Sequence, residues 1–385
     1  MPAGNSLIQK ILDRPRCRTV RKAVALAIRS RWLPVLIIFA FLYIPFLLKY
    51  GWGFRSISNA DLPSFYSASV AVFEHGESPY DRERLQALMG QDVYVHPYLY
   101  SPSSLLFFYP LSLLDYATAR HIVLLGNHLI ILSLLFVVPL LFLRTSSEVR
   151  RRLTFILTCT YLLTFYPIEI TLNHGQVNLL LLAFILAFWL LAREGHTISA
   201  SLFLALAVFL KTYPIVIPAM LLVAGRRREC AYTGAWLGLG MIISLIVFRS
   251  AIWHDWIVNV LPTGGYTRIP TGLFSPAAIW NQSLNGFFAR AFTESQWSIP
   301  VLVDTGLART ATYAAASLVI AVSVVAVRGS MGFPDSLDRT MLVALPTMYL
   351  LAPFSWEHHL VYLLPSILML LTAHSRLPSA ATLVF

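Results

Sequence analysis

Long apolar runs follow one another along most of this chain, among them Trp32 to Leu48, His121 to Phe142, Leu153 to Leu172, Ile198 to Val223 and Val301 to Val327. A helix needs about 20 apolar residues to cross a bilayer, and within the hydrocarbon each peptide group must find its partner inside the segment. The runs therefore restrict the chain to helices packed side by side in a membrane. Of 385 residues, 57% are hydrophobic and only 12% charged, which leaves no room for a soluble domain of comparable size. The expected fold is all-α, a polytopic transmembrane helical bundle of about 10–12 helices, forming one integral domain over residues 1–385.

Charge orients the bundle. Residues 1–31 carry eight Lys or Arg against one acidic residue, Asp13. That arm belongs in the cytoplasm, and it reads as a signal anchor that is retained, because no small-residue cleavage site follows it. Further basic clusters at Arg144 to Arg152 and Arg226 to Arg228 mark later cytoplasmic turns. The net charge of +11 is confined to such clusters, which suit anionic lipid better than a nucleic-acid groove. No nucleic-acid partner is expected. Cys17, Cys159 and Cys230 lie outside the long polar loops, so neither a disulfide framework nor a CxxC metal site is readable.

With those turns inside, the apolar runs give about ten crossings with both termini cytoplasmic, in a multi-pass protein of the cell membrane. Residues 51–120 form a long outer loop rich in Tyr and Pro, with interfacial helices expected at Pro63 to Glu74 and Asp81 to Met89. Leu105 to Leu114 is half a span and is read as dipping into the outer leaflet. Ile198 to Val223 is too long for one span and is broken at Lys211-Thr212-Tyr213-Pro214, because a proline disfavours helical geometry in the residue before it. A second long outer segment covers residues 249–299.

This topology sends five uncommon polar clusters to one face. Asp61 follows the first apolar run, where it can be a helix cap or a general base. Lys211, one of four lysines, lies inside an apolar block, where its ammonium either snorkels or meets an anionic phosphate. Asn173, His174, Gln176 and Asn178 either cap a helix turn or hydrogen-bond sugar hydroxyls. Glu169, about one turn earlier, is a candidate partner for a basic group. Asn281 to Gly286 and Trp356-Glu357-His358-His359 complete the set, and the adjacent histidines lack the spacing of a zinc site.

The order of these segments, with Tyr100-Ser101-Pro102, Leu210-Lys211-Thr212-Tyr213-Pro214 and Asn281-Gln282-Ser283-Leu284-Asn285-Gly286 between Asp61 and His359, resembles the polyprenol-phosphate-mannose-dependent alpha-mannosyltransferases of the glycosyltransferase C superfamily. The resemblance spans nearly the whole chain. It departs where that family often has Tyr-Pro-Pro for Tyr100-Ser101-Pro102 and Trp-Asp-His-His for Trp356-Glu357-His358-His359. It implies a glycosyltransferase C type bundle with its active site on the extracytoplasmic face, a polyprenyl-phosphate sugar as donor, most often mannose, a glycolipid or glycan hydroxyl as acceptor, and inversion at the anomeric carbon. Asp61, His358 and His359 would then be catalytic. Lys211 and Tyr213 would hold the donor phosphate, and Tyr100, Asn173, His174, Gln176, Asn178, Asn281, Asn285, Trp356 and Glu357 would bind substrate. No acidic metal cluster is evident, so neither a metal nor another cofactor is expected. A lipid-sugar transporter is the competing reading.

Overall fold

The computed structural model describes residues 33–49, 61–142, 148–270 and 272–373. The basic arm of residues 1–31, Trp52, Arg144 and the carboxyl-terminal end lie outside the described residues. Among those described, helices dominate and no extended strand forms; two isolated bridges, one of them pairing Asn281 with Trp356, are the only β contacts.

The chain runs through α1 (Leu33–Leu47), α2 (Leu62–Phe73), α3 (Arg82–Met89), α4 (Leu105–Ser112) and α5 (Tyr116–Phe142). It continues through α6 (Glu148–Thr164), α7 (Tyr166–His174), α8 (Asn178–Arg193), α9 (Thr197–Leu210), α10 (Val216–Val223) and α11 (Arg227–Val247). The remainder is α12 (Ser250–Asp255), α13 (Leu284–Phe292), α14 (Thr305–Gly329), α15 (Ser336–Leu351) and α16 (Leu364–Ala373). The polytopic helical architecture expected from the apolar runs is present. Helices α2 and α3 fall at the two expected interfacial segments, each displaced by about one residue.

Three described segments are long and apolar enough to cross a membrane: Tyr116–Leu135, Arg227–Val247 and Thr305–Gly329. A fourth arises if the pair Arg152–Thr164 and Tyr166–His174, bent by 48°, is one broken span. The other apolar helices are shorter, so about ten crossings would require several of these to serve as spans. In the most apolar window of Arg227–Val247 only 11% of residues are buried within the protein. Its Ile246, like Phe41 and Val325, stands more than two-thirds exposed. Apolar side chains turned outward over whole helices need a lipid environment.

Breaks in the helices, more than the helices themselves, build the site. Helix α7 ends because Gly175 takes the left-handed conformation at φ 65°. The Gly175 and Gln176 N–H groups donate back to Leu172 and Thr171, which satisfies the last carbonyls of the helix. A Cβ at Gly175 would lie 2.6 Å from the Leu62 Cβ, so the start of α2 packs directly on this turn. Helix α9 stops at Leu210, leaving Lys211 extended at φ −145°, and the chain resumes as a 3-10 turn at Tyr213–Ile215. This is the break expected before Pro214. A second 3-10 stretch, Glu357–Leu363, carries both histidines and leads into α16.

Away from these breaks, Asp338 on α15 accepts from Trp189 Nε1 at 2.7 Å and pairs with Arg193 at 3.2 Å, both on α8. Glu169 finds its basic partner in Lys49, at 2.7 Å. Cys159 and Cys230 are free thiols.

Candidate active site

Asp61 occupies the position before the first turn of α2, yet its side chain makes no capping hydrogen bond there. The carboxylate turns instead to His174, whose Nδ1 lies 3.4 Å from Asp61 Oδ2. The main chains are tied in the same place, with the Asp61 N–H donating to the His174 carbonyl at 3.0 Å. Burial pushes the Asp61 carboxyl up, but the hydrogen bond from His174 and the nearby His358 and His96 rings outweigh this and bring it down to about 2. The surroundings of Asp61 therefore favour its carboxylate form.

Lys211 is 3% exposed. Its Nζ donates to Asn178 Oδ1 at 2.8 Å and to Gln176 Oε1 at 3.2 Å, and lies 3.3 Å from His359 Nε2. With the ammonium protonated, Nε2 accepts, which puts the His359 proton on Nδ1. The ammonium also sits 5.5 Å from the centre of the Tyr100 ring. Among the described residues no carboxylate lies within ion-pair distance of it. A buried ammonium with only neutral partners is costly, and the arrangement favours an anion next to it.

Behind Lys211 the amides are fixed by a relay of hydroxyls. Tyr213 donates to Tyr362 at 2.6 Å, and Tyr362 donates to Asn178 Oδ1 at 2.5 Å. Asn178 Nδ2 in turn donates to the His358 carbonyl at 3.3 Å. The two histidines point apart, their rings 4.6 Å between centres and perpendicular. His359 faces Lys211, whereas His358 faces His174, with ring centres 5.6 Å apart. A 3-10 turn separates successive side chains by about 120°, which is why neighbouring residues reach different parts of one site.

These groups surround a cavity of about 500 Å³. Asp61, Tyr100, Gln176, Lys211, Trp356 and His359 form its polar end, and Tyr213 also lines it. Ile215, Val216, Leu261, Met348 and Leu351 give it an apolar wall. His174, Asn178 and His358 stand behind the lining and orient it. Asn173 and Glu357 flank the site without lining the cavity.

Asn281 and Asn285 do not line it either, and both are fully buried. Asn281 Oδ1 accepts from the Ser283 N–H, the Ser283 hydroxyl and the Ser355 N–H, while its Nδ2 donates to the Pro276 and Pro353 carbonyls. Asn285 donates to the same Pro353 carbonyl at 2.9 Å and accepts from the Thr267 N–H. Every polar atom of these amides is engaged by backbone or hydroxyl. They clamp the 249–299 segment to the strand-like stretch that delivers Trp356 and the histidines. Gly286 permits the clamp, since a Cβ there would lie 2.2 Å from the Asn281 carbonyl oxygen.

Two residues of the site carried no mark in the sequence. Tyr362 lies inside an apolar stretch, where only its spacing of three from His359 is a usable signal. His96 lines the cavity beside Asp61 but was hidden among the loop tyrosines Tyr94, Tyr98 and Tyr100.

Comparison with known proteins places the chain in a family. One relative is the "Polyprenol-phosphate-mannose-dependent alpha-(1-2)-phosphatidylinositol pentamannoside mannosyltransferase" of Mycolicibacterium smegmatis, 28% identical over 279 residues, which is 71% of this chain and 61% of that protein. The chain thus matches somewhat under two-thirds of that relative's length. No solved structure matches. Residues 98–353 match glycosyltransferase family 87, a stretch that includes Lys211 and the asparagine clamp and leaves Asp61 and the histidine pair outside. Because that match covers most of the chain, the protein belongs to glycosyltransferase family 87.

Proposed function

We propose that the protein transfers a sugar, taken as mannose on the strength of its relative, from a polyprenyl-phosphate donor to a hydroxyl of a glycolipid or glycan acceptor, inverting the anomeric centre. The observation that carries this reading is the sharing of one cavity by a buried, carboxylate-free ammonium, Lys211, and an ionised carboxylate, Asp61. The first matches a lipid phosphate and the second a hydroxyl that must lose its proton.

In this reading the donor phosphate sits against Lys211, with Tyr213 and His359 beside it, and the prenyl chain follows the apolar wall of Val216, Leu261 and Leu351. The acceptor oxygen attacks the anomeric carbon as its proton passes to Asp61. The bond from that carbon to the phosphate oxygen breaks, and the polyprenyl phosphate leaves with the electron pair. A sugar hydroxyl is a poor nucleophile, so a positioned base contributes roughly 10²–10⁴-fold. The leaving phosphate needs no proton, and its charge is stabilised by the Lys211 ammonium. This scheme uses no metal. In this reading the cavity opens at the extracytoplasmic face of the cell membrane, which the basic clusters of the sequence favour.

The test is incubation of purified protein with labelled polyprenyl-phosphate mannose and envelope lipid extract, comparing the parent with Asp61→Asn. Labelled glycolipid from the parent and its loss in the variant is the expected result. Equal product from both removes Asp61 as the base, and donor translocation without transfer supports a transporter instead. Activity lost in EDTA and restored by manganese contradicts the metal-free scheme.

A further inference from the structure

His96 lies in the segment between α3 and α4, far from the helix breaks that supply the rest of the site. Its ring is held edge-on by Tyr94, with centres 4.9 Å apart, and by Phe274 at 6.1 Å. The two long loops, 51–120 and 249–299, thus grip it from either side and bring it to the cavity that Asp61 also lines. Its Nδ1 is buried without a hydrogen-bond partner, which leaves Nε2 as the nitrogen that a ligand in the cavity can reach. A neutral imidazole fixed by packing, with its other nitrogen open to a cavity that a carboxylate shares, is suited to hydrogen-bond a ligand there.

Its position relative to the charged groups indicates which ligand. The fields acting on His96 come from Asp61, His174 and Arg82, and the one acting on Lys211 comes from Asp61. Asp61 is thus the group that both share. In an inverting displacement the incoming oxygen approaches opposite the leaving group. With a donor phosphate on Lys211, the acceptor is the ligand beside the base Asp61, in the cavity that His96 also lines. Burial lowers the tendency of His96 to take up a proton, leaving a neutral ring able to donate from one nitrogen and accept at the other. Nε2 of such a ring can donate to or accept from a sugar hydroxyl, according to its tautomer.

We propose that His96 is an acceptor-binding residue that hydrogen-bonds a hydroxyl of the acceptor sugar and so selects which neighbouring hydroxyl meets Asp61. This rests on the transferase reading given above. The ligand class is a glycoside with vicinal hydroxyls, and the probe is octyl α-D-mannopyranoside.

The experiment uses the full chain in lipid nanodiscs with labelled polyprenyl-phosphate mannose and the octyl mannoside, comparing the parent with His96→Phe and His96→Gln. Phenylalanine keeps the aromatic packing against Tyr94 and Phe274 but removes both nitrogens; glutamine retains a donor and an acceptor. His96→Phe should raise the acceptor KM about five- to tenfold, the effect of one lost hydrogen bond. The donor KM should change less than twofold, and the product should contain more than one linkage. His96→Gln should recover part of the acceptor affinity. An unchanged acceptor KM and a single linkage in His96→Phe, with the parent active, would overturn this inference alone. A rise in donor KM matching that for acceptor would also overturn it. A parent that transfers nothing to the mannoside would overturn the transferase reading for such acceptors together with this one.

Discussion

Asp61 and His174 hold each other twice, through the main-chain bond from the Asp61 N–H to the His174 carbonyl at 3.0 Å and through the side-chain approach of His174 Nδ1 to Asp61 Oδ2 at 3.4 Å. The first contact sets the distance between the start of α2 and the end of α7. The second keeps the carboxylate ionised and turned away from a capping role. Asp61 gains its position from a turn more than a hundred residues further along the chain.

That dependence makes Gly175 sensitive. In Gly175→Ala the new Cβ would meet Leu62 Cβ at 2.6 Å, and the backbone at φ 65° disfavours any side chain. The strain of a non-glycine residue there costs about 1–3 kcal/mol. Transfer should fall by roughly tenfold or more, and donor affinity should fall with it, because Gln176 and Asn178, which follow this turn, hold the Lys211 ammonium. Transfer rate and thermal unfolding in detergent check this, and full activity in the variant contradicts the Leu62 contact.

The acidity of Asp61 gives a pH profile. Its carboxyl is lowered to about 2, against an ordinary value of about 4. The free-enzyme base is then protonated only as pH falls through its lowered value, so kcat/KM should show no acid limb from Asp61 at mildly acidic pH. Stability from its ionised form is present above the unfolded value and lost as pH falls through the folded one. An acid limb in kcat/KM near pH 5 or above that disappears in Asp61→Asn would contradict the assignment.

Lys211→Met removes the ammonium while keeping most of the side-chain volume. Charge-assisted hydrogen bonds contribute about 1.5–3 kcal/mol. The donor KM should therefore rise roughly 10- to 100-fold, and affinity for polyprenyl phosphate should fall equally. Binding of the uncharged polyprenol, measured in parallel, should stay as it was. Equal loss for both ligands would point to a collapsed cavity and away from a phosphate contact.

Asn281→Ala separates clamp from ligand contact. The variant leaves the Ser283 and Ser355 N–H groups and the Pro276 carbonyl without their amide partner, while the Pro353 carbonyl still accepts from Asn285. Buried groups left unpaired cost about 1–3 kcal/mol each. Thermal stability should fall clearly, and the fraction that stays folded should keep its acceptor KM. A stable variant with a raised acceptor KM would show that Asn281 touches substrate.

The class of fold and the places where helices stop are legible in the residues alone. Apolar run length dictates membrane helices, and Gly175 and Pro214 break them for local steric reasons that need no tertiary contact. The sequence also marked Asp61, Lys211, Gln176, Trp356 and His359, because charge and amide groups are rare in such surroundings. Only the tertiary structure decided how these groups are shared out. Asn281 and Asn285 look like the other amides along the chain, yet they point into backbone, while His96, unremarkable among tyrosines, reaches the cavity. Those outcomes depend on distances between residues far apart in sequence and on the direction each side chain takes at a helix break. Neither quantity is encoded in spacing, since it is packing between segments, fixed by contacts such as Leu62 against Gly175, that sets them.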